Sequence, residues 1–307
     1  MNVGFGLRKM ILAAAFLSGM LMAPAWAAPD WPIPPGVKTV EVNGYPLAYI
    51  EDGTGTPIVI LHGMWVDHRL FTSQVAGFSK THRAIAVSLR HYYPEPWDGK
   101  NGAFSISQQA SDVVALIRQL NLGKVHLLGH SRGGAVAINV ARQAPELMRT
   151  LILEEAAGLE SLLADEAVGR NRIEGVTKLG SLVRSKLDSG GRPKAAESGW
   201  NAALGPGAWD RLPPNMQQML VDNIGTVANG TYDPPAIGCD DIRKFTFPIL
   251  LMQSERAGKV YADMFAAMRQ CNPAIGAPTI VPAAGHNMHL DNRAFFNDSV
   301  LAYLQRN

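Results

Sequence analysis

The sequence is poor in cysteine, and it has almost no net charge. Of its 307 residues, only Cys239 and Cys271 are cysteines. They are too few, and too far from other candidate ligands, to indicate a metal site. Residues 1–27 contain two basic and no acidic residues, which leaves 26 of each sign in the rest of the chain. A neutral protein has no overall field that attracts nucleic acid or anionic lipid, so we expect a small-molecule partner.

Long apolar runs are also scarce, and the one candidate for a membrane-associated segment lies near the N-terminus. Arg8 and Lys9 precede an apolar run over residues 10–22, and small residues surround Trp26. This order is typical of a secretory signal that is cleaved after Ala27. A membrane-spanning helix fits less well, because the run is short and Pro24 follows it. We therefore expect residues 1–27 to be a signal peptide, the protein to be periplasmic or secreted, and no stable membrane insertion after cleavage.

Export has a consequence for the two cysteines. Oxidising compartments allow disulfides to form and persist, whereas the cytosol keeps thiols reduced. Cys239 and Cys271 are therefore expected to pair with each other, and two buried free thiols are the alternative.

Beyond residue 37, short apolar runs that are typical of strands alternate with helical patterns. The stretch TPIVILHG is continuously apolar, as a parallel strand covered on both faces should be. By contrast, SISQQASDVVALIRQLN places Val113, Leu116 and Ile117 on one helical stripe. This alternation predicts an α/β fold with a mostly parallel sheet. Residues 159–236 have no obvious strand run, so we expect a helical insertion between core segments 28–158 and 237–307.

The stretch VHLLGHSRGG places Ser131 between two nearby glycines, Gly129 and Gly133, where an apolar strand gives way to a helix. A strand–turn–helix context of this kind is typical of a nucleophile elbow, in which a strained turn exposes the serine hydroxyl. The alternative is a tight turn in which the serine caps the helix. A serine hydroxyl needs a base to remove its proton, so the catalytic interpretation also requires a histidine.

Two further motifs supply candidate partners for Ser131. His62-Gly63 ends an earlier strand, and the backbone N–H of Met64 and that of Arg132 are candidate oxyanion-hole donors. A simple strand-ending turn is the alternative for this motif. Near the C-terminus, VPAAGHNMHLD places His286 in a loop after a strand, which makes it the candidate base. His289 is the rival candidate.

These motifs, HGMW, GHSRGG and AAGHNMH, occur in the order and spacing of the α/β-hydrolase superfamily, and the chain resembles its capped members over residues 38–306. The resemblance implies an eight-stranded sheet flanked by helices, with the second strand antiparallel and a helical cap inserted after strand six. It also implies Ser131 as nucleophile, His286 as base, and Met64 and Arg132 as oxyanion donors.

The acid departs from the usual pattern of that superfamily. Relatives commonly have an aspartate after strand seven, where this chain has Ala257. Some capped relatives instead use a glutamate after strand six, where this chain has Glu154 and Glu155. Adjacent strand residues face opposite sides, so only one of the pair can reach the histidine. Alignment with such relatives favours Glu155, and Glu154 and Glu255 remain as alternatives.

Three aromatic residues are candidates for substrate binding. Trp65 follows the oxyanion motif, whereas Tyr92 and Tyr93 replace small residues in the loop after strand four. The two tyrosines are predicted either to line an aromatic pocket or to pack the loop onto the body of the protein.

Together, the residues and the resemblance predict an exported serine hydrolase of carboxylic esters or lactones, with a Ser131–His286–Glu155 triad. This chemistry requires no cofactor and no metal. Amide or carbon–carbon bond hydrolysis by the same triad is one alternative. A binding protein that keeps the fold without catalysis is the other, because a fold does not determine function.

Overall fold

The computed structural model describes residue 1, residues 29–100 and residues 102–307. The predicted secretory signal, apart from its first residue, therefore lies outside the described residues. Within the described ranges, none of the helices combines the length and the apolar character that crossing a bilayer requires.

In the described residues, eight strands form a single sheet in the spatial order β1-β2-β4-β3-β5-β6-β7-β8. The strand β2 is antiparallel to both of its neighbours, and all other pairs are parallel. This architecture confirms the predicted fold class. The strands are β1 (Lys38–Val42), β2 (Tyr45–Asp52), β3 (Pro57–Leu61), β4 (Arg83–Val87), β5 (Val125–His130), β6 (Met148–Glu154), β7 (Ile249–Ser254) and β8 (Thr279–Val281).

Continuous apolar runs form the central strands because both faces of the sheet are covered. In β3, for example, Ile58 and Ile60 face one core cluster, whereas Val59 and Leu61 face the other, and all four are fully buried. The helices that supply these clusters, together with those of the cap, are α1 (Thr72–Phe78), α2 (Ile106–Gln119), α3 (Arg132–Gln143), α4 (Glu166–Leu204), α5 (Pro214–Asn229), α6 (Cys239–Arg243), α7 (Lys259–Cys271), α8 (Met288–Asp291) and α9 (Arg293–Leu304).

The predicted helical insertion consists of α4 and α5, which lie in the chain between β6 and β7. Helix α4 is interrupted at Gly191, whose φ of 75° is outside the helical region, two residues before Pro193. The insertion contacts the core through Asp67, which accepts a 2.7 Å hydrogen bond from the Asn223 side chain in α5. We refer to this insertion as the cap.

A disulfide joins Cys239 to Cys271, with their Cα atoms 4.8 Å apart. It connects the start of α6 to the end of α7, beside β7. The two cysteines are therefore paired in this structure, as expected from the sequence.

Candidate active site

Ser131 occupies the turn between β5 and α3, with backbone angles φ 52° and ψ −119°. A positive φ is strained for a residue with a side chain, and such strain occurs mainly at functional sites. The glycines allow the strand and the helix to approach closely. A Cβ atom at Gly129 would lie 2.8 Å from that of Ala137, and one at Gly133 would collide with the carbonyl oxygens of Leu61 and His62. This close approach is the geometry of a nucleophile elbow.

Glu155 and His286 form the charged part of the site. The Nδ1 of His286 lies 2.6 Å from Glu155 Oε2. The other carboxylate oxygen, Oε1, accepts hydrogen bonds from the backbone N–H and the hydroxyl of Ser254. Burial by itself raises the pKa of Glu155, but the hydrogen bonds from His286 and Ser254 outweigh it and hold the pKa below its usual 4.5. Glu155 is therefore a carboxylate whose hydrogen bond fixes the orientation of the His286 imidazole.

Ser131 and His286 line the same cavity without a hydrogen bond between them in the described part of the chain. Because Nδ1 is held by Glu155, Nε2 is the nitrogen that can receive the Ser131 proton. Such catalytic contacts are often long before substrate binds and tighten in the complex.

The two alternative acids have other partners. Glu154 forms a fully buried pair with His289, with 2.6 Å between Oε1 and Nδ1. Burial disfavours charge on both groups, so it raises the pKa of Glu154 and lowers that of His289. Glu255 accepts a hydrogen bond from the Ala283 backbone N–H. The structure thus brings Glu155 to His286, and brings Glu154 to the rival histidine.

His130, which precedes Ser131, is a site residue that no sequence motif indicates. Its Nε2 donates to the backbone carbonyl of His286 at 3.0 Å, and its ring lies 4.7 Å from that of His286. Burial lowers the pKa of His130 to about 3, so the ring is neutral near pH 7. His130 therefore anchors the backbone of the candidate base. With Glu154 and His289 it forms a group with metal-ligand atoms within 4.8 Å of one another, but the mutual hydrogen bond of Glu154 and His289 already occupies two of these atoms.

The candidate oxyanion donors belong to two turns that meet at Ser131. Arg132 is the first residue of α3, so its N–H has no intrahelical acceptor. Among the described residues, neither this N–H nor that of Met64 takes part in a backbone hydrogen bond outside the helices and strands. Gly63 brings the Met64 turn against the elbow, because a Cβ placed there would lie 3.2 Å from Ser131 Cβ.

His62 holds this turn in place. Its Nε2 accepts a 3.0 Å hydrogen bond from the Leu89 backbone N–H, so Nδ1 carries the proton and donates to the Gly63 carbonyl at 2.7 Å. Complete burial lowers the pKa of His62 to about 4, which keeps the ring neutral. His62, which the sequence indicates as part of an oxyanion motif, thus holds the turn through hydrogen bonds between its side chain and backbone groups.

A cavity of about 260 Å³ opens beside Ser131 and His286, under the cap. We call it the catalytic cavity. Its wall is mostly apolar and includes Met64, Trp65, Leu179, Trp200, Met216 and Tyr261. This composition suits an apolar part of a small substrate.

The three aromatic candidates for substrate binding lie in different environments. Trp65 lines the catalytic cavity and packs against Trp200, with ring centroids 5.4 Å apart. Tyr92 and Tyr93 are not in its wall. Tyr92 is buried and packs edge-on against His62, whereas Tyr93 lies beneath the Arg69 guanidinium, 3.6 Å from its ring centroid. For these two residues the structure corresponds to the packing alternative, because their rings find partners inside the protein.

A further group of residues reaches the site from outside the recognised motifs. The Tyr261 ring stacks on His286, with centroids 5.1 Å apart, and its hydroxyl accepts a 2.8 Å hydrogen bond from Arg172. Arg172 in turn pairs with the buried Glu160 at 3.0 Å. Arg172 in α4 and Tyr261 in α7 are 89 residues apart in sequence, and no local pattern indicates that they are in contact.

Comparison with known proteins identifies the family of the chain. Residues 58–299, well over half of the chain, match the model of the alpha/beta hydrolase family. The chain belongs to this family. Among solved structures, it is similar to carboxylesterase CesB from Bacillus subtilis, with a TM-score of 0.69 and 19% identity over 90% of this chain and 94% of that one. It is also similar to the enol-lactonase of Burkholderia xenovorans LB400, with a TM-score of 0.66 and 19% identity over 87% and 99% of the two chains. At such identities the likeness shows the fold alone.

Curated relatives match over a shorter region. The chain is 29% identical over 136 residues to (E)-2-((N-methylformamido)methylene)succinate hydrolase of Acinetobacter baylyi, which is 43% of this chain and 49% of the relative. Across the first relatives, the match spans between 34% and 49% of their own length.

Proposed function

We propose that this chain is a serine hydrolase that cleaves a carboxylic ester or a lactone. The observation that carries the proposal is the 2.6 Å contact between Glu155 and His286. His286 lines a cavity whose wall also contains Ser131, at a strained elbow. A hydroxyl, an oriented imidazole and a carboxylate at such a turn are the components of acyl transfer.

In this mechanism the Ser131 Oγ attacks the substrate carbonyl while His286 Nε2 takes its proton. The N–H groups of Met64 and Arg132 stabilise the oxyanion, and Glu155 balances the charge of the imidazolium. The C–O bond then breaks, and His286 returns the proton to the leaving alcohol. Water, deprotonated by His286, hydrolyses the acyl-enzyme and restores Ser131. A lactone follows the same steps, with its alcohol still tethered to the acyl group.

The experiment combines covalent labelling with a substrate screen. A fluorophosphonate probe should label the purified protein at Ser131, and Ser131→Ala should abolish both labelling and turnover, because nucleophile and base act as a unit. Hydrolysis is then measured on esters, lactones, amides and vinylogous diketones. Labelling with turnover of amides or diketones alone would indicate one of the other bond types, and a protein that is neither labelled nor active would be a binding protein of this fold.

We also propose that the protein is exported, with residues 1–27 removed. The charged, apolar and small-residue order of the N-terminus supports this, and the Cys239–Cys271 disulfide is compatible with an oxidising compartment. Expression of the full chain, fractionation and N-terminal sequencing test it. Ala28 at the N-terminus of an exported product is the expected result, and a cytosolic product that retains residues 1–27 would contradict it.

A further inference from the structure

A second and larger cavity of about 500 Å³ lies between the cap and the core, next to the catalytic cavity. We call it the cap chamber. Met64, whose N–H is a proposed oxyanion donor, is in the wall of both cavities. Arg132, which follows the nucleophile directly, also lines the cap chamber. The chamber therefore adjoins the place where the reacting carbonyl of a substrate would bind.

The Arg132 side chain is a buried cation that has no acidic partner in the part of the chain that the structure describes. It is only 3% exposed, and no carboxylate of the described residues forms a salt bridge with it. Its Nη1 donates to the Thr231 carbonyl at 3.3 Å, and its Nη2 donates to Gln109 Oε1 at 3.1 Å. The Phe104 ring lies 4.6 Å from the guanidinium carbon. All of these partners are neutral, so the positive charge is solvated by dipoles alone.

One donor of this guanidinium remains unused. The Nε of Arg132 is buried and has no hydrogen-bond partner within the described residues, and the Tyr92 hydroxyl, which is also unpaired, lies near this side chain. A buried charge is costly unless it is paired, and a buried donor without an acceptor adds to that cost. An anion that entered the chamber beside Arg132 would offset the cost of the unpaired charge. Arginine is also the side chain best suited to a carboxylate, since its planar fork can donate two hydrogen bonds to it.

The rest of the wall is consistent with a negatively charged group. Among the described residues it contains no aspartate or glutamate, and it includes a second arginine, Arg184, on α4. Arg184 is half-exposed and pairs with Asp188 outside the chamber wall. The other polar side chains of the wall are hydroxyls, from Thr177, Ser181, Thr226, Thr231 and Tyr232.

We propose that the cap chamber binds a free carboxylate of the substrate through Arg132, so that the enzyme acts on esters or lactones that carry a second, ionised carboxyl group. The inference rests on the proposed function and specifies its substrate class. The scissile carbonyl occupies the oxyanion site, and the carboxylate, a few bonds away, pairs with the guanidinium.

The test compares substrates that differ only in charge. Each methyl monoester of succinate, glutarate and adipate is compared with a neutral methyl ester of the same length, in which an amide replaces the free carboxyl group. In the parent, kcat/KM for the charged member of at least one pair should exceed that for its neutral partner by about ten- to a hundredfold, mainly through KM, the size expected for a hydrogen bond to a charged group. In Arg132→Met this ratio should fall to about one.

Arg142→Met is the matched control, because Arg142 lies at the far end of the same helix and is exposed. Its charge ratio should remain that of the parent. Equal kcat/KM for charged and neutral esters in the parent, or an unchanged ratio in Arg132→Met, would overturn the proposal while leaving the serine-hydrolase function intact.

A binding measurement covers the case in which Arg132→Met does not fold. Calorimetry with the parent should detect glutarate but not glutaramide, and the affinity should fall as salt is raised. Because this measurement requires no turnover, it separates the two proposals. Glutarate binding without hydrolysis of any ester would support the carboxylate site and contradict the enzyme, whereas ester hydrolysis without glutarate binding or charge preference would do the reverse.

Discussion

Glu155 is the residue that holds His286, at 2.6 Å, although 131 residues separate them in sequence. Two backbone hydrogen bonds continue the pairing of β6 with β7 and with β5 at the point where Glu155 follows the strand. The Glu155 N–H donates to the Met252 carbonyl in β7, and the Ser131 N–H donates to the Glu154 carbonyl in β6. With its φ of 35°, Glu155 leaves the strand direction and turns its carboxylate toward the loop after β8. The acid thus reaches the histidine from the strand next to that of the nucleophile.

Replacing Glu155 should therefore reduce turnover strongly. Glu155→Gln keeps the shape but removes the charge that balances the imidazolium, and we expect kcat to fall at least about a hundredfold, or roughly 3 kcal/mol of transition-state stabilisation. Steady-state kinetics on the best ester found in the screen measure it. The control is Glu255→Gln, which should stay within a few-fold of the parent. A large loss in Glu255→Gln instead would place the functional acid after β7.

Alanine should have different effects on stability at two glycines, Gly133 in the elbow and Gly175 in the cap. In Gly133→Ala the new methyl group meets the carbonyl oxygens of Leu61 and His62, so β3 and α3 must separate. We expect a loss of roughly 1–3 kcal/mol in stability, as for other overpacked sites, together with most of the activity. Thermal unfolding and ester hydrolysis measure both.

Gly175→Ala is the matched control for that substitution. Gly175 lies in α4, and a Cβ there has open space around it. Because alanine is the better helix former, this variant should be neutral or up to about 1 kcal/mol more stable. Equal behaviour of the two variants would contradict the close-packed elbow.

Asp67 links the core to the cap, and its ionisation makes that link dependent on pH. Burial by itself raises the pKa of Asp67, but hydrogen bonds and charge from Arg69 outweigh it and hold the pKa below the usual 3.8. The stabilising contribution of the carboxylate is thus present above about pH 4 and is lost as pH falls through the lowered folded-state value. Asp67→Asn should cost about 1–3 kcal/mol at pH 7, because the charge that accepts hydrogen bonds from Arg69 is lost while Arg69 keeps Asp222 as a second partner.

Urea unfolding at pH 7 and at pH 3 measures this difference. The gap between the parent and Asp67→Asn should narrow at the lower pH, because asparagine does not titrate. Asp98→Asn serves as the control, since Asp98 is exposed and should change stability little at either pH. A gap of the same size at both pH values would show that Asp67 acts through shape alone.

The disulfide predicts a stability loss without a loss of chemistry. Cys239 and Cys271 are 32 residues apart, and closing a loop of that length stabilises the folded state by about 3–4 kcal/mol on the chain-entropy model. The double variant Cys239→Ser/Cys271→Ser should unfold at correspondingly lower urea concentration. Dithiothreitol should lower the stability of the parent and leave that of the double variant unchanged. Two titratable thiols in the denatured, unreduced parent would contradict the bond.

The sequence predicted those parts of the site that depend on local backbone geometry. The elbow at Ser131 and the turn at Gly63-Met64 can be recognised in one sequence, because a tight strand–turn–helix connection restricts which residues fit. The continuous apolar runs likewise predicted the parallel sheet, since strands covered on both faces need apolar side chains at every position.

The pairing of acids with histidines could not be read in the same way. Glu154 and Glu155 are adjacent, and so nearly are His286 and His289, so spacing alone allows either combination. The tertiary fold decides the pairing, because it buries Glu154 with His289 and places Glu155 against His286, which lines the catalytic cavity. Tyr92 and Tyr93 show the same limit, because their partners His62 and Arg69 lie on the loop after β3.

By itself, then, the sequence determined the fold class, the nucleophile turn and the order of the candidate catalytic residues, because hydrophobic periodicity and glycine sterics act over a few neighbouring residues. Only the tertiary structure decided which carboxylate meets His286, that Tyr261 and Arg172 join the site, and that Arg132 is buried with no acidic partner among the described residues. Each of these depends on contacts between residues far apart in the chain. Such contacts are fixed by how the cap and the sheet pack together, and no local pattern encodes them.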